Sequence, residues 1–181
     1  MPSYPTPNAS VERQLIEGCV AQDRAAQRQL YDRYKAVMYS SALRILNDRD
    51  LAHDALQEAF VDVFRSIAGL REQVTLGAWI RTIVVRRSLA LLRRENRMEV
   101  YDQDKHPEPT VHWHDNLTGE ALEKAIQELP AGYRSVFCLV EVEGYAHREV
   151  AEMLGVSEGT SKSQLFHAKR MLQVKLQHLY R

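Results

Sequence analysis

The chain lacks a net charge. Its 181 residues include 24 basic and 24 acidic side chains, which cancel at neutral pH. Such a balance argues against a protein that coats nucleic acid by bulk attraction. The charge is nevertheless distributed unevenly, because basic stretches at 81–97 and 162–181 lie on either side of an acidic stretch at 99–120. The sequence therefore still permits contact with nucleic acid through either basic stretch.

Long apolar runs and cysteines are also scarce. No run approaches the roughly eighteen apolar residues of a membrane span, and the N-terminal MPSYPTPNAS lacks the pattern of a signal peptide. We therefore expect a cytoplasmic protein with a flexible arm at 1–9 and no membrane insertion of its own. Cys19 and Cys138 lack the spacing of a metal site or redox pair, so we expect mostly buried thiols.

Signatures of catalysis are missing as well. Only eight residues are glycine, and the chain has no phosphate-binding glycine loop, no Ser/His/Asp order and no metal-ligand spacing. The two histidines on either side of Trp113 lack a third ligand nearby. The sequence therefore predicts a protein that is not an enzyme and that needs no cofactor or metal.

Helical periodicity dominates the first part of the chain. Apolar residues recur with a 3.6-residue period at 30–45 and 56–67, and the pattern resumes near Thr75. Asp23 and Asp50 are candidate N-caps for two of these helices. No alternating run is long enough for a strand.

The acidic stretch shows no helical or strand period. With its prolines it indicates a linker at 98–117, because a loop of that length is uncommon inside one compact domain. The prediction is an all-α protein of two small helical domains, at 10–97 and 118–181, joined by a flexible acidic linker.

The second predicted domain contains a helix-turn-helix pattern, HREVAEMLGVSEGTSKSQLFHAKRML, at 147–172. Gly155 suits the tight turn, small Ala151 allows a close helix crossing, and Ser157 can cap the second helix. In this geometry the second helix enters the major groove of DNA, where polar and basic side chains contact base edges and phosphates. The candidate DNA-binding residues on its outward side are Thr160, Lys162, Ser163, Gln164, Phe166, His167 and Lys169.

Two helices of the first predicted domain carry distinctive surfaces. One presents a stripe of Asp54, Gln57 and Glu58, which by composition alone fits a solvated helix face equally well. The other follows Trp79 with a ladder of arginines, a combination that suits single-stranded or melting DNA. The candidate arginines are Arg81, Arg86, Arg87, Arg93 and Arg94.

At these residues the chain resembles the extracytoplasmic-function (ECF, group 4) sigma factors of the sigma-70 family, from about residue 12 to residue 176. The family pattern Asp-x-x-Gln-(Glu/Asp)-x-Phe appears as Asp54, Gln57, Glu58 and Phe60. In the second half, EVAEMLGVSEGTSKSQL is similar to the family's EIAEILGISEGTVKSRL. The resemblance is specific, because two matching halves occur in the family's order with a linker between them.

The resemblance implies an alternative sigma factor that binds core RNA polymerase through its beta and beta-prime subunits and directs promoter-specific initiation. Asp54, Gln57, Glu58 and Phe60 would contact the polymerase. Trp79 and the five arginines would bind the melted −10 element, and the seven residues of the helix-turn-helix would recognise the −35 element of promoter DNA. An anti-sigma factor that holds the protein inactive is a further implied partner.

Four residues depart from the family pattern. Arg86 stands where the family has Asn, and Ala90 stands where it has Asp, both near the segment that handles the −10 element. Ser161 replaces Val at an expected half-buried position, and Gln164 replaces Arg on the recognition helix. We expect the fold to survive all four changes.

The main alternative is a helix-turn-helix regulator that binds its operator without polymerase, usually as a dimer on paired half-sites. A regulator of that kind would form a tight and specific DNA complex alone. A neutral sigma factor should bind promoter duplex feebly until it joins the polymerase.

Overall fold

The computed structural model describes residues 9–70, 75–95 and 119–178, and it divides into two units, one up to Leu91 and one from Leu92. Eight α-helices and no strand are present in these ranges, which confirms the predicted all-α class. Residues 1–8 of the predicted arm and the predicted linker, with Trp113, lie outside the described residues. The helices are α1 (Ala9–Val20), α2 (Arg24–Leu46), α3 (Arg49–Ser66), α4 (Leu76–Arg94), α5 (Gly119–Gln127), α6 (Ala131–Phe137), α7 (His147–Leu154) and α8 (Glu158–His178).

Helices α1 and α2 form a tight hairpin. The predicted cap at Asp23 is confirmed, because its Oδ1 accepts the Ala25 N–H at 2.7 Å. Gly18 allows the two helices to approach closely, since a Cβ at this position would lie only 2.5 Å from the Ala26 Cβ. The buried Tyr34 hydroxyl donates to Glu12 Oε1 at 2.9 Å and so ties α2 to α1.

The turn between α2 and α3 corrects the predicted cap at Asp50. Asn47 adopts the left-handed conformation, with φ 53°, and ends α2. Asp48 is then extended and its Oδ1 accepts the N–H groups of Asp50 and Leu51, at 3.0 and 3.1 Å. Asp50 therefore lies two residues too late to cap α3, and its negative charge instead interacts favourably with the positive N-terminal end of the helix dipole.

The core of the first unit lies between α2, α3 and α4. Each helix turns an apolar face inward, exemplified by the buried Met38, Leu56 and Val84. Helix α4 begins as predicted next to Thr75, whose carbonyl oxygen accepts the Trp79 N–H at 3.0 Å. Because these faces are buried, the polar sides of α3 and α4 are left for contact with other molecules.

The second unit contains the predicted helix-turn-helix at α7 and α8. Gly155 ends α7 in the left-handed conformation, with φ 71°, and the Ser157 Oγ accepts the Thr160 N–H at 2.9 Å to cap α8. Helix α6 is followed directly by a π-helical turn at Cys138–Val142. Buried Leu165, Ala168 and Leu172 mark the inward face of α8.

Cys19 and Cys138 are both buried, as predicted. Burial, with the nearby Asp23 carboxylate, raises the pKa of the Cys19 thiol and so disfavours the reactive thiolate. Among the helices that the structure describes, none is both long and apolar enough to cross a membrane.

Candidate nucleic-acid and protein interfaces

The stripe on α3 is a solvent-facing surface. Asp54, Gln57 and Glu58 are all exposed, and Val61 lies on the same side of the helix with 45% of its surface accessible. The three polar residues predicted for contact with another protein are therefore brought together on one face. Polar side chains around an accessible aliphatic residue are a common arrangement in protein interfaces.

Phe60, predicted with this stripe, points the other way. It is 3% exposed, and its ring meets Tyr31 edge-on at a centroid distance of 4.8 Å and lies 5.9 Å from Phe64. A ring with so little exposure cannot present a surface to a partner. Phe60 instead anchors α3 on α2, which holds the polar stripe outward.

Arg87 links the two surfaces that the sequence treats as separate. Its Nη1 lies 3.5 Å from Glu58 Oε2, and its guanidinium also pairs with the carboxylate of Asp62. The structure therefore places Arg87 with the acidic side of α3 instead of with the arginines predicted for DNA. No local sequence signal indicates this contact, because Arg87 and Asp62 are 25 residues apart.

The other predicted residues of α4 differ in their accessibility. Arg86, Arg93 and Arg94 are exposed, whereas Trp79 and Arg81 are half-buried. Trp79 is thus only partly accessible to a partner. The exposed arginines give the outer side of α4 its positive charge.

Seven residues of α8 are predicted to contact duplex DNA, and they differ in their accessibility. Among the residues that the structure describes, Phe166 is the most accessible large apolar side chain, at 59%, and Lys162 is also exposed. The other five, Thr160, Ser163, Gln164, His167 and Lys169, are half-buried.

His167 and Phe166 form part of an aromatic cluster. The His167 ring stacks on the buried Tyr133 at a centroid distance of 6.0 Å and meets Phe166 edge-on at 5.6 Å. The guanidinium of Arg170 lies over the Phe166 ring at 5.8 Å. These contacts restrict the rotamers of His167 and Phe166 before any DNA arrives.

Every lysine of α8 is paired with a carboxylate of the same unit. The pairs are Lys162 with Glu158 at 2.7 Å, Lys169 with Glu141 at 2.8 Å and Lys175 with Glu128 at 2.8 Å. Hydrogen bonding to Lys162 lowers the pKa of Glu158, and Lys175 does the same for Glu128. The three lysines of this basic stretch are therefore each offset by a carboxylate that lies close in space, which sequence counts do not reveal.

Ser161 is the residue of this region whose surroundings the sequence predicts least well. It is 0% exposed, not half-buried, and its Oγ lies 2.9 Å from Nδ1 of His147, the first residue of α7. The sequence marks Ser161 only as a departure from the customary valine. A hydrogen bond between the two helices of the motif explains why a polar residue is tolerated there.

Comparison with known proteins gives two family matches in chain order. Residues 30–98 match sigma-70 region 2, and residues 119–172 match sigma-70 region 4. The ECF RNA polymerase sigma factor SigM of Mycobacterium tuberculosis is 30% identical over 175 residues, which cover 92% of this chain and 85% of that protein.

Two further proteins are similar over different extents. The ECF RNA polymerase sigma factor SigE of Mycolicibacterium smegmatis is 30% identical over 144 residues, which are 75% of this chain but only 56% of that protein. Among solved structures, the sigma factor RpoE bound to the anti-sigma factor NepR from Bartonella quintana has the same fold, with a TM-score of 0.55 and 24% identity. That match covers 83% of this chain and 96% of that one.

Proposed function

The chain belongs to the ECF family of RNA polymerase sigma factors, and from this premise we propose how its described surfaces divide the work of an alternative sigma factor. The observation that carries the proposal is that both sigma-70 regions occur in one chain and in order. An initiation factor of this kind binds core RNA polymerase and directs it to specific promoters. It selects and positions without chemistry of its own, and it works in the cytoplasm, where the polymerase is.

The first surface is the exposed stripe of Asp54, Gln57 and Glu58, which we assign to the beta and beta-prime subunits of the core polymerase. The stripe is polar, accessible and held outward by the buried Phe60. Arg87 holds α4 against this side of α3, so that a partner meets two helices in a fixed relation.

The second surface is the outer side of α4, which we assign to the melted −10 element. The exposed Arg86, Arg93 and Arg94 supply positive charge for the backbone, and the accessible part of Trp79 can stack on an unpaired base. Arg81 is on the same helix and is half-buried. Arg87 is left out of this set because its guanidinium is directed to Glu58 and Asp62 on α3.

The third surface is the outward side of α8, which we assign to the −35 duplex. The two residues best suited to contact bases are Gln164, which can form two hydrogen bonds with adenine, and Phe166, which can contact a thymine methyl group. Lys162 and Lys169 lie where phosphate contacts would exchange for their present carboxylate partners.

An anti-sigma factor is the further partner that we propose. The RpoE structure with the same fold was solved with such a protein bound. A partner that covers the α3 stripe and the outward side of α8 would keep this chain from the polymerase and from DNA at once.

The proposal is tested with purified chain and core polymerase on a promoter library. The wild-type chain should start transcripts from a defined set of promoters with core polymerase, and bind the same duplexes feebly alone. Replacing Gln57 and Glu58 with Ala should weaken association with core in a pull-down while leaving the helical content unchanged.

Asp32 offers a control, because this exposed carboxylate is on α2 instead of the α3 stripe, where it pairs with Arg28 and Lys35. Asp32→Ala removes one acidic charge from the same unit and should leave core association intact. A tight, specific duplex complex formed by the chain alone, without any response to core polymerase, would favour the helix-turn-helix regulator instead.

A further inference from the structure

The two helices of the helix-turn-helix are joined by a hydrogen bond near their N-terminal ends. Ser161 Oγ and His147 Nδ1 are 2.9 Å apart, and either atom can donate, depending on the tautomer of the histidine. Ser161 is fully buried, and His147 is half-buried. The bond is therefore largely shielded from water, which would otherwise compete for both groups.

Both residues of this hydrogen bond belong to helix turns whose backbone is held by further hydrogen bonds. The Ala146 N–H donates to Glu149 Oε2 at 2.8 Å, which fixes the first turn of α7 immediately before His147. The Ser157 Oγ caps α8, and the Ser161 N–H donates to the Ser157 carbonyl oxygen at 3.0 Å. The bond consequently transmits the position of one helix to the other.

Much of the rest of the α7 and α8 surfaces that meet is apolar, and Glu158 of α8 also interacts electrostatically with His147 and Arg148 of α7. Val150, Ala151 and Leu154 on α7 are buried, as are Leu165 and Ala168 on α8. Apolar burial is non-directional and tolerates a small rotation of a helix about its axis. A hydrogen bond weakens steeply when its angle departs from linearity, so it sets that rotation.

Rotation of α8 matters most for base contacts. Ser161 lies in the same turn as Thr160, Lys162 and Ser163, and Gln164 follows one residue later. A glutamine side chain that forms two hydrogen bonds with adenine needs both its amide oxygen and its amide nitrogen in place. A lysine on a flexible stem reaches a phosphate from many orientations.

We propose that Ser161 and His147 are positioning residues for −35 discrimination: their hydrogen bond sets the rotation of α8 in the major groove. Neither residue has to touch the DNA for this role. The inference rests on the proposed function, because it concerns the same recognition helix.

The test measures discrimination by the holoenzyme. A promoter library first gives the preferred −35 sequence, and single-round transcription then compares it with each single-base change. Ser161→Val removes the hydrogen-bonding group and fills the site with apolar volume, so a loss of discrimination cannot be ascribed to a cavity. We expect the ratio between preferred and altered sequences to fall about two- to tenfold, the range for loss of one net hydrogen bond.

Histidine variants provide the matched pair. Asn at position 147 places a polar atom where Nδ1 stands, so His147→Asn should retain discrimination, whereas His147→Leu should lose as much as Ser161→Val. The double variant His147→Leu, Ser161→Val should lose no more than either single variant, because both remove the same bond.

Three outcomes would overturn the inference: an unchanged ratio in Ser161→Val, an equal loss in His147→Asn and His147→Leu, or losses that add in the double variant. A wild-type holoenzyme that starts no promoter-specific transcript would instead overturn the proposed function.

Discussion

Arg87 and Arg86 are neighbours on α4, and their replacement by Ala should have opposite consequences. Arg87 bridges to Glu58 and Asp62 on α3, whereas Arg86 is exposed on the side assigned to the −10 strand. Arg87→Ala should therefore destabilise the first unit and spare DNA capture. Arg86→Ala should spare stability and weaken capture.

The size of the Arg87 effect follows from its surroundings. Its side chain is 40% exposed, and those of Glu58 and Asp62 are 47% and 28% exposed, so solvent screens both pairs. Partly exposed pairs of this kind contribute about 0.2–1 kcal/mol each, which gives about 1 kcal/mol for the two together. In a domain of this size such a loss lowers the melting temperature by about 4–8 °C.

Two measurements separate the variants. Thermal unfolding followed by circular dichroism reports the loss in Arg87→Ala, while Arg86→Ala should stay within about 0.5 kcal/mol of the wild type, as surface changes usually do. Binding of the holoenzyme to a template with an unpaired −10 strand reports capture. The reasoning is refuted if Arg87→Ala leaves the melting temperature unchanged and weakens capture as much as Arg86→Ala does.

Two further substitutions test the recognition helix and the α1–α2 hairpin. Gln164→Ala should change which −35 sequences are used, at a cost of about 1–3 kcal/mol at one base pair. Lys169→Ala should instead weaken transcription from all promoters of the same library alike. An equal loss at every promoter in Gln164→Ala would count against a base contact by Gln164. Gly18→Ala should lower the free energy of unfolding in urea, because overpacking against Ala26 costs about 1–3 kcal/mol and exceeds the roughly 0.5–1 kcal/mol gained in helix propensity. Gly69→Ala, with nothing within 4 Å of the added Cβ, is the control, and equal stability of the two variants would contradict the packing argument.

Local features of this fold could be predicted from the sequence, because their causes lie within a few residues. The cap at Asp23, the turn at Gly155 and the cap at Ser157 each depend on one side chain and its neighbours. The sequence indicates a cap of α3 at Asp50 instead of Asp48, because the left-handed Asn47 that ends α2 leaves no signal in the apolar period.

Contacts between elements could not be predicted in the same way. The ladder consists of five similar arginines, and only the packing of α4 on α3 distinguishes Arg87 from Arg86. Ser161 and His147 are 14 residues apart, so their hydrogen bond depends on how α7 and α8 cross. Phe60 belongs to a family motif, but its burial shows that a motif residue can support a surface without being on it.

The carboxylates beside Lys162, Lys169 and Lys175 have a consequence for how DNA binding responds to salt. Each acts as a counterion tethered to the protein, which cannot diffuse away when a phosphate takes its place. A released carboxylate then attracts a small cation from solution, which offsets part of the cation release from DNA. The salt dependence of duplex binding should therefore be shallower than the number of lysines on α8 suggests. Binding of α8 to the −35 duplex would in turn vary less with the ionic strength around the polymerase.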